Sequence, residues 1–263
     1  MSYHVPLLGQ NKTISDFPCI LHQTFKSRRI PEDVKILREG CIVQHPDYQH
    51  FFWTDKDNSK FIQSNYNWFF KTFESYDLSI KRADAVRYFY MYHFGGVYMD
   101  LDVKCLKQLS SLLHKYREYD VLLGTMNMHQ KRHIRNKIPN VIMISKPKAK
   151  FWLDVIQLMS TRNNCSKPEY DTGPEILYDA LSMSKHRNTV KLLQPDVFYP
   201  IDWSDPDVSW IPHNRRINND YTHKTAYAVT FWRHSWQVKR SWTVPRRLRT
   251  SNPFKKNFSN TAS

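Results

Sequence analysis

Two aspartates separated by one leucine stand in a very apolar segment, "VYMDLDV" at residues 97–103. The segment predicts a β-strand, and alternation along a strand places Asp100 and Asp102 on one face, roughly 6.5–7 Å apart. Two partly desolvated carboxylates at that distance repel each other and raise each other's pKa. Mg²⁺ or Mn²⁺ would remove that cost, since either ion accepts carboxylate ligands together with phosphate oxygens. The pair therefore indicates a metal site; the alternative is two solvated carboxylates, or carboxylates paired with Lys or Arg.

A second pair of charges precedes the aspartates. Residues 78–94, "LSIKRADAVRYFYMYHF", have apolar positions at helical spacing. Within this helix Asp84 and Arg87 lie three residues apart, on neighbouring turns of one face. The adjacent Gly95 and Gly96, two of only six glycines in the chain, fit a helix stop. The pair is either a structural ion pair or a means of holding sugar hydroxyls and an anion near the metal.

Strands alternate with helices along the rest of the chain. The other strands are expected at 17–25, 48–55, 119–126, 140–145 and 226–232, and the other helices at 31–46, 58–75, 148–160 and 173–182. Such alternation predicts an α/β domain with a mainly parallel central sheet. From residue 239 the sequence is basic and weakly patterned. We therefore expect one domain over 1–238 and a flexible, basic C-terminal tail over 239–263.

The composition is strongly basic, with 39 Lys and Arg against 24 Asp and Glu and a net charge of +15. Such a charge attracts anions, whether nucleic acid, phosphorylated small molecules or an acidic membrane surface. A hydrophobic content of 41% supports a sizeable core and excludes wholesale disorder. No apolar run approaches the ~20 residues of a membrane span, and the apolar part of the N-terminus is too short for a signal peptide. A cytoplasmic or peripheral membrane location is expected, or the Golgi lumen if an anchor has been removed.

The four cysteines are Cys19, Cys41, Cys105 and Cys165. They form no CxxC pair and no zinc-binding spacing with histidine. Buried free thiols are therefore expected. One or two disulfides are the alternative if the protein is secretory.

The segment "RADAVRYFYMYHFGGVYMDLDV", residues 82–103, resembles the R-A-D-x-x-R-Y…Y-G-G-x-Y-x-D-x-D pattern of DXD-containing glycosyltransferases. That family includes Och1-type mannosyltransferases, inositol-phosphoceramide mannosyltransferases and α1,4-galactosyltransferases. Five more segments match the family in the expected order: "FPCILHQTFK", "HPDYQHFFWTD", "IPNVIMISKPKAKFW", "DTGPEILYDAL" and "YAVTFWRHSW". The resemblance spans roughly residues 17 to 236. Each piece is weak alone, but six in order are hard to obtain by chance.

The resemblance implies a GT-A fold, a Rossmann-like α/β sandwich that binds a nucleotide-sugar, and transfer with retention of anomeric configuration. It implies that Asp102 is a direct ligand of Mn²⁺ or Mg²⁺. Asp100 is expected to contact the metal through water or to bind the donor ribose. Asp84 and Arg87 are expected to hold the donor sugar and its phosphate. The favoured donor is GDP-mannose, with a UDP-hexose as the alternative, and the acceptor is a glycan or glycolipid.

Other site positions follow from the same resemblance. They are Gln23 and Thr24 for the base and ribose, Tyr98 in the same pocket, Asn140 and Gly173 near the donor sugar and acceptor, and Ser235 and Trp236 at the diphosphate. This chain departs from the family at Thr230 and Phe231, where histidine is usual. His234 is a candidate replacement as a metal or phosphate ligand, and a surface histidine is the alternative.

Three rival functions fit the composition less well. A nucleic-acid partner is not expected, because the aromatic residues sit at core-periodic positions and no binding motif is present. A metal-dependent phosphodiesterase would usually need more carboxylates or histidines around a second metal. A catalytically inactive scaffold on an anionic membrane surface is favoured by the missing histidine and the basic tail.

Overall fold

The computed structural model describes residues 12–127, 135, 137–162, 167–201 and 224–232. The strands are β1 (Thr13–Ile14), β2 (Phe17–Pro18), β3 (Ile20–Phe25), β4 (Gln49–Thr54), β5 (Gly96–Met99), β6 (Val103–Cys105), β7 (Val121–Gly124), β8 (Ile142–Ser145), β9 (Val190–Leu193) and β10 (Ala228–Thr230). The helices are α1 (Glu32–Gln44), α2 (Asp55–Asn65), α3 (Asn67–Ser75), α4 (Ser79–His93), α5 (Ser110–Lys115), α6 (Phe151–Thr161), α7 (Pro168–Asp171), α8 (Pro174–Met183) and α9 (Pro195–Phe198), with a 3₁₀ turn at Arg187–Thr189.

Six strands form the central sheet in the order β4-β3-β5-β8-β7-β9. Neighbouring strands are parallel except at β8, which runs antiparallel to both β5 and β7. Two smaller antiparallel pairs, β1–β2 and β6–β10, lie outside this sheet. The predicted α/β class with a mainly parallel central sheet is confirmed.

Both faces of the central sheet are covered by apolar side chains. Alternate residues of one strand belong to the core clusters on opposite faces. In β5, Tyr98 belongs to the core cluster that contains the aromatic residues of α4. Its neighbours Val97 and Met99 belong to the cluster on the opposite face, together with Leu21 of β3. Side chains alternate across a strand, so a central strand buried on both faces is apolar throughout. β5 therefore sits in the middle of the core, and its C-terminal end emerges at one edge.

Two glycines set the path from α4 into β5. Gly95 and Gly96 have φ angles of +66° and +82°, a region that L side chains rarely adopt. A Cβ at Gly95 would lie 2.6 Å from the backbone nitrogen of Pro147, and one at Gly96 would lie 2.6 Å from the carbonyl oxygen of Ile20. The close approach of Gly96 lets β5 lie directly against β3. The glycine pair thus fixes where α4 ends and where β5 begins.

The predicted strand at 97–103 is wrong in its extent. β5 ends at Met99 and residues 100–102 form a turn, closed by a 3.3 Å hydrogen bond from the Val103 N–H to the Asp100 carbonyl. The chain then enters β6, which pairs with β10 instead of the central sheet. The two carboxylates therefore stand on a turn and do not alternate along a strand.

The single helix expected over 58–75 is also wrong. Two helices occupy this stretch, and Tyr66, with a φ of −140°, separates them. The first begins earlier than expected because Thr54 and Asp57 form a reciprocal capping box.

A disulfide joins Cys41 of α1 to Cys105 of β6, which corrects the expectation of free thiols at these two positions. Cys19 is free and buried, as expected; Cys165 lies outside the described residues. The bridge spans a sequence separation of 64 residues. A cross-link that closes a loop of that length stabilises the folded state by about 4 kcal/mol, because it lowers the entropy of the unfolded chain. The loop contains α2, α3, α4 and β5, so the bridge constrains the part of the chain that carries the aspartates.

All described residues belong to one unit, Met1–Trp232. The predicted boundary at residue 238 and the tail at 239–263 lie outside the described residues, so that division stays a prediction. Within the described ranges, no helix combines the length and the apolar character needed to cross a membrane.

Candidate functional site

Asp100 lies one residue beyond β5 and is held through a single carboxylate oxygen. The Tyr98 hydroxyl donates a 2.7 Å hydrogen bond to Oδ1, and Nη1 of Arg87 lies 3.2 Å from the same oxygen. The Asp100 side chain remains 29% exposed. One part of the carboxylate is therefore fixed by the protein while the group stays accessible to a ligand.

Arg87 is the centre of the cluster and is almost fully buried. Its Nη2 lies 2.8 Å from Oδ1 of Asp84, and its Nη1 donates a 2.8 Å hydrogen bond to the carbonyl oxygen of Asn140. The guanidinium carbon lies 4.6 Å from the centroid of the Tyr98 ring, a cation–π distance. One side chain thus connects α4, the end of β5 and the segment that leads into β8.

The electrostatics of the cluster follow from burial. Burial raises the pKa of Asp84 to about 7; the charge of Arg87 opposes this shift and the charge of Asp100 adds to it. For Arg87, burial acts to lower the pKa, but attraction by Asp100, Tyr98 and Asp84 outweighs it, and the pKa is raised. The guanidinium therefore remains charged and serves as the counter-ion of both carboxylates.

Asn140 and Gly173, which the family resemblance placed near the donor sugar and acceptor, are connected to the same cluster by hydrogen bonds. Nδ2 of Asn140 lies 3.0 Å from Oδ1 of Asp84 and 3.2 Å from the Tyr88 hydroxyl. That hydroxyl donates to the carbonyl oxygens of Thr172, at 2.8 Å, and Gly173, at 3.2 Å. Hydrogen bonds therefore run without a break from Asp84 to the start of α8.

Tyr88 was missed by the sequence reasoning. It is fully buried, follows Arg87 directly and stands four residues after Asp84, on the same helical face. That spacing was the available signal, because a polar tip one turn beyond a buried carboxylate is placed to share its partners.

Asp102 lies on the same turn as Asp100, and the strand that follows it is held by the end of β10. Its carbonyl oxygen accepts a 3.0 Å hydrogen bond from the N–H of Phe231. Thr230, where the resembling family usually has histidine, is buried and pairs with Val103. The departure from the family pattern therefore lies directly beside Asp102. His234, Ser235 and Trp236 lie outside the described residues, and their roles stay predictions.

Gln23 and Thr24 end β3, the neighbour of β5. The Thr24 hydroxyl donates to the Trp53 carbonyl oxygen at 3.2 Å and accepts from Nδ2 of Asn58 at 3.0 Å. Gln23 is buried, and its Nε2 has no hydrogen-bond partner among the described residues. Among the described residues, no hydrogen bond or ion pair connects either side chain to Arg87, so the structure does not join them to the Arg87 cluster.

The side chains of the turn are of the type that binds a divalent ion, but they are too few to complete its coordination shell. Asp100 and Asp102 offer the hard oxygen ligands that Mg²⁺ and Mn²⁺ prefer, and Asp100 is accessible. Across the described ranges, however, no three His, Cys, Asp or Glu side chains are placed to hold a metal. Mg²⁺ commonly binds one or two carboxylates and completes its shell with water and substrate phosphates. The turn therefore suits an ion that arrives together with a phosphorylated ligand.

Comparison with known proteins identifies the family. The family model described as "Glycosyltransferase sugar-binding region containing DXD motif" matches residues 31–119. Mannosyl phosphorylinositol ceramide synthase CSH1 of Saccharomyces cerevisiae is 35% identical over 189 residues, which cover 68% of this chain and 47% of that protein. This chain belongs to the DXD-containing glycosyltransferases. The resemblance stated from its motifs is confirmed.

Two further matches are a second mannosyltransferase sequence and a solved structure. Inositol phosphoceramide mannosyltransferase 2 of Schizosaccharomyces pombe is 46% identical over 97 residues, covering 37% of this chain and 28% of that protein. This DXD glycosyltransferase thus matches less than half of the length of either relative. Mouse xyloside xylosyltransferase 1 matches with a TM-score of 0.47 and 9% identity, over 83% of this chain and 98% of that one. The family and the mixed α/β sheet confirm the predicted GT-A class.

Proposed function

We propose that this chain is a metal-dependent, retaining glycosyltransferase that moves a hexose, with mannose favoured, from a nucleotide-sugar to a glycolipid. The observation that carries the proposal is the buried Arg87, which holds Asp84 on one side and the accessible Asp100 on the other. In a chain of this family, that arrangement presents one carboxylate to a ligand at the carboxyl end of a central strand, where α/β proteins bind nucleotides.

The leaving group of such a reaction is a nucleoside diphosphate, and negative charge grows on it as the glycosidic bond breaks. A divalent ion held by Asp102 and Asp100, with Mn²⁺ or Mg²⁺ as candidates, would neutralise that charge. Arg87 keeps Asp100 oriented and adds a fixed positive charge nearby. Asp84 and Asn140 offer acceptors and donors for sugar hydroxyls, with Tyr88 holding Asn140 in place.

The relatives' names support the choice of sugar and acceptor. The proteins that match are called mannosyl phosphorylinositol ceramide synthase and inositol phosphoceramide mannosyltransferase. The family model spans residues 31–119, which include Asp84, Arg87, Asp100 and Asp102. We therefore favour GDP-mannose as donor and an inositol-phosphate-bearing sphingolipid as acceptor, with a UDP-hexose donor as the alternative.

The test is transfer of labelled sugar to inositol phosphoceramide in detergent, with GDP-mannose and UDP-hexoses compared in the presence and absence of Mn²⁺. Transfer from GDP-mannose that requires the ion and is lost in Asp100→Asn and Asp102→Asn supports the proposal. Asp120→Asn is the matched control, because it removes a half-exposed carboxylate whose ion-pair partner among the described residues is Lys146. No transfer from any donor, or transfer that survives both substitutions, contradicts it.

A second candidate, an inactive scaffold at an anionic membrane surface, is favoured by one observation. Thr230 and Phe231 stand beside Asp102 where the family usually has histidine. Binding to anionic vesicles that needs no metal and is unchanged in Asp102→Asn, in a protein without transferase activity, would support it.

A further inference from the structure

Arg38 of α1 is a half-buried arginine that forms no ion pair among the described residues. Its guanidinium carbon lies 5.3 Å from the centroid of the Phe52 ring on the edge strand β4. The Nε atom is buried and has no hydrogen-bond partner, and within the described residues no ion pair reaches the side chain. Burial lowers the pKa of Arg38; Glu39 opposes this shift and Arg28 adds to it. A partly buried cation whose Nε–H has no acceptor gains from pairing with an anionic ligand.

A second arginine flanks the same ring but is fully engaged. The guanidinium carbon of Arg28 lies 5.6 Å from the Phe52 centroid. Its Nη2 lies 2.9 Å from Oδ2 of Asp57, and its Nη1 donates to the carbonyl oxygen of Phe52 at 2.6 Å. Two positive charges, those of Arg28 and Arg38, therefore lie against the Phe52 ring. Of the two, only Arg28 is paired with a carboxylate among the described residues. Their combined field attracts an anion to the side of Arg38.

His50 and Gln23 add two more unpaired polar atoms on the same sheet face. Gln23 is the register partner of Phe52, and His50 lies two residues before Phe52 on β4, so the three side chains share a face. Nε2 of His50 lies 3.0 Å from the carbonyl oxygen of His45 and must donate to it, which leaves Nδ1 as the second ring atom. Nδ1 of His50 and Nε2 of Gln23 are buried, and neither has a partner among the described residues.

We propose that Arg38, His50 and Gln23 form a binding site for a phosphoryl group at the outer edge of the sheet. An oxyanion accepts hydrogen bonds from Nε of Arg38 and Nε2 of Gln23, and the hydroxyl of a phosphate monoanion donates to Nδ1 of His50. Such charge-assisted hydrogen bonds are the strong ones. Sulfate carries no proton at neutral pH and fits less well. The site is separate from the Arg87 cluster, which faces the opposite side of the sheet with Tyr98.

Titration calorimetry with inorganic phosphate at neutral pH tests the site on the whole chain. We expect saturable binding that is stronger than that of sulfate, and at least a tenfold loss of affinity in Arg38→Gln and in His50→Ala. Arg38→Lys keeps the charge but lacks the buried Nε–H, so we expect an intermediate loss. Lys35→Gln is the matched control, since it removes a charge on α1 that is paired with Glu32 and Glu39. Melting temperatures without phosphate show whether each variant is folded.

The outcome also separates this site from the candidate donor site. Phosphate binding that persists in Asp100→Asn and is lost in Arg38→Gln supports the proposal, whether or not the chain transfers sugar. No binding to the wild-type chain, or equal binding by wild type and Arg38→Gln, overturns it. Flotation with phosphatidylcholine vesicles, with and without phosphatidate, identifies the source of the phosphoryl group. Phosphatidate-dependent binding that phosphate competes away indicates a lipid headgroup, and phosphate binding without flotation indicates a free phosphate or small phosphomonoester.

Discussion

Two polar side chains, Arg87 and His22, are buried on the same face of the sheet, and they solve the problem of burial in opposite ways. Arg87 keeps its charge because Asp84 and Asp100 surround it. His22 is a neutral imidazole surrounded by aromatic rings. The rings that stack on it are those of Phe51, Trp53, Tyr90 and Phe94.

The hydrogen bonds of His22 define its neutral form. The indole N–H of Trp53 donates to Nδ1 at 3.2 Å, so Nε2 carries the proton and donates to the Gly95 carbonyl oxygen at 3.2 Å. Burial lowers the pKa of His22 to about 3, although the Gly95 hydrogen bond opposes the shift. Both side chains are satisfied, but only the Arg87 cluster includes a member that reaches solvent. Because of that difference, the Arg87 cluster is a candidate site, whereas His22 has a structural role and holds the carbonyl oxygen of Gly95 between α4 and β5.

The largest expected effect comes from Arg87→Met, which leaves two carboxylates without their counter-ion. We expect the free energy of unfolding, measured in urea, to fall by about 3–5 kcal/mol, the usual cost of breaking a buried ion pair. Arg82→Met is the control on the same helix, because Arg82 donates to the carbonyl oxygen of Tyr76 and forms no ion pair among the described residues. Equal losses in the two variants would show that Arg87 has no special electrostatic role.

The pH dependence of stability separates the two residues by sign. The folded pKa of His22, about 3, lies below its unfolded value of ~6.5. The unfolded chain therefore binds the extra proton, and stability falls as the pH falls from about 6.5 towards 3. The folded pKa of Asp84, about 7, lies above its unfolded value of ~3.9. Its contribution is present at low pH and is lost as the pH rises towards 7.

Between about pH 4 and 6.5 the two contributions oppose each other, and each substitution removes one of them. Relative to the wild type, we expect the stability of His22→Gln to fall as the pH rises through this range and that of Asp84→Asn to rise, each by at most about 1.4 kcal/mol per pH unit. Urea unfolding at half-unit pH intervals measures both slopes relative to the wild type. Parallel slopes in the two variants would refute the assignment of opposite titrations.

A smaller effect is expected from Trp53→Phe, which removes the donor to His22. Nδ1 of His22 is then buried without a partner, at a cost of about 1–3 kcal/mol. A double-mutant cycle with His22→Gln isolates this interaction from the lost packing of the indole. We expect a coupling energy of about 1 kcal/mol. Additive losses would mean that the hydrogen bond contributes nothing and that the rings alone hold the imidazole.

The sequence predicted the parts of this comparison that depend on local spacing. Asp84 and Arg87 were expected on one helical face and do form an ion pair; Gly95 and Gly96 were expected to stop the helix and do so with positive φ. The contact of Arg87 with Asn140, 53 residues away, depends on β8 lying beside β5, and no local pattern encodes that order. The sequence pattern predicted a strand at 140–145, but only the family resemblance assigned Asn140 to the site.

Two features near the aspartates could not be predicted because they also depend on contacts between residues that are far apart in the sequence. The turn after Met99 forms because β6 leaves the central sheet to pair with β10, more than a hundred residues later in the chain. The disulfide between Cys41 and Cys105 depends on α1 packing against β6. Spacing along the chain could not identify either partner, and alternation along a continuous strand was the natural but mistaken interpretation.

The smallest expected effect is that of Tyr98→Phe, which removes one of the two contacts that hold Oδ1 of Asp100. Arg87 remains, and the carboxylate is 29% exposed, so water replaces the phenol and the stability loss should stay near 1 kcal/mol. Tyr66→Phe is the matched control, since its hydroxyl contacts Nδ1 of His93, at 2.9 Å, and no residue of the Arg87 cluster. If Asp100 serves a metal and a diphosphate, Tyr98→Phe should raise the Mn²⁺ concentration needed for half-maximal transfer while Tyr66→Phe leaves it unchanged. An equal Mn²⁺ requirement in both variants would show that the orientation of Asp100 does not matter, and the accessible end of the Arg87 cluster would then be as purely structural as His22.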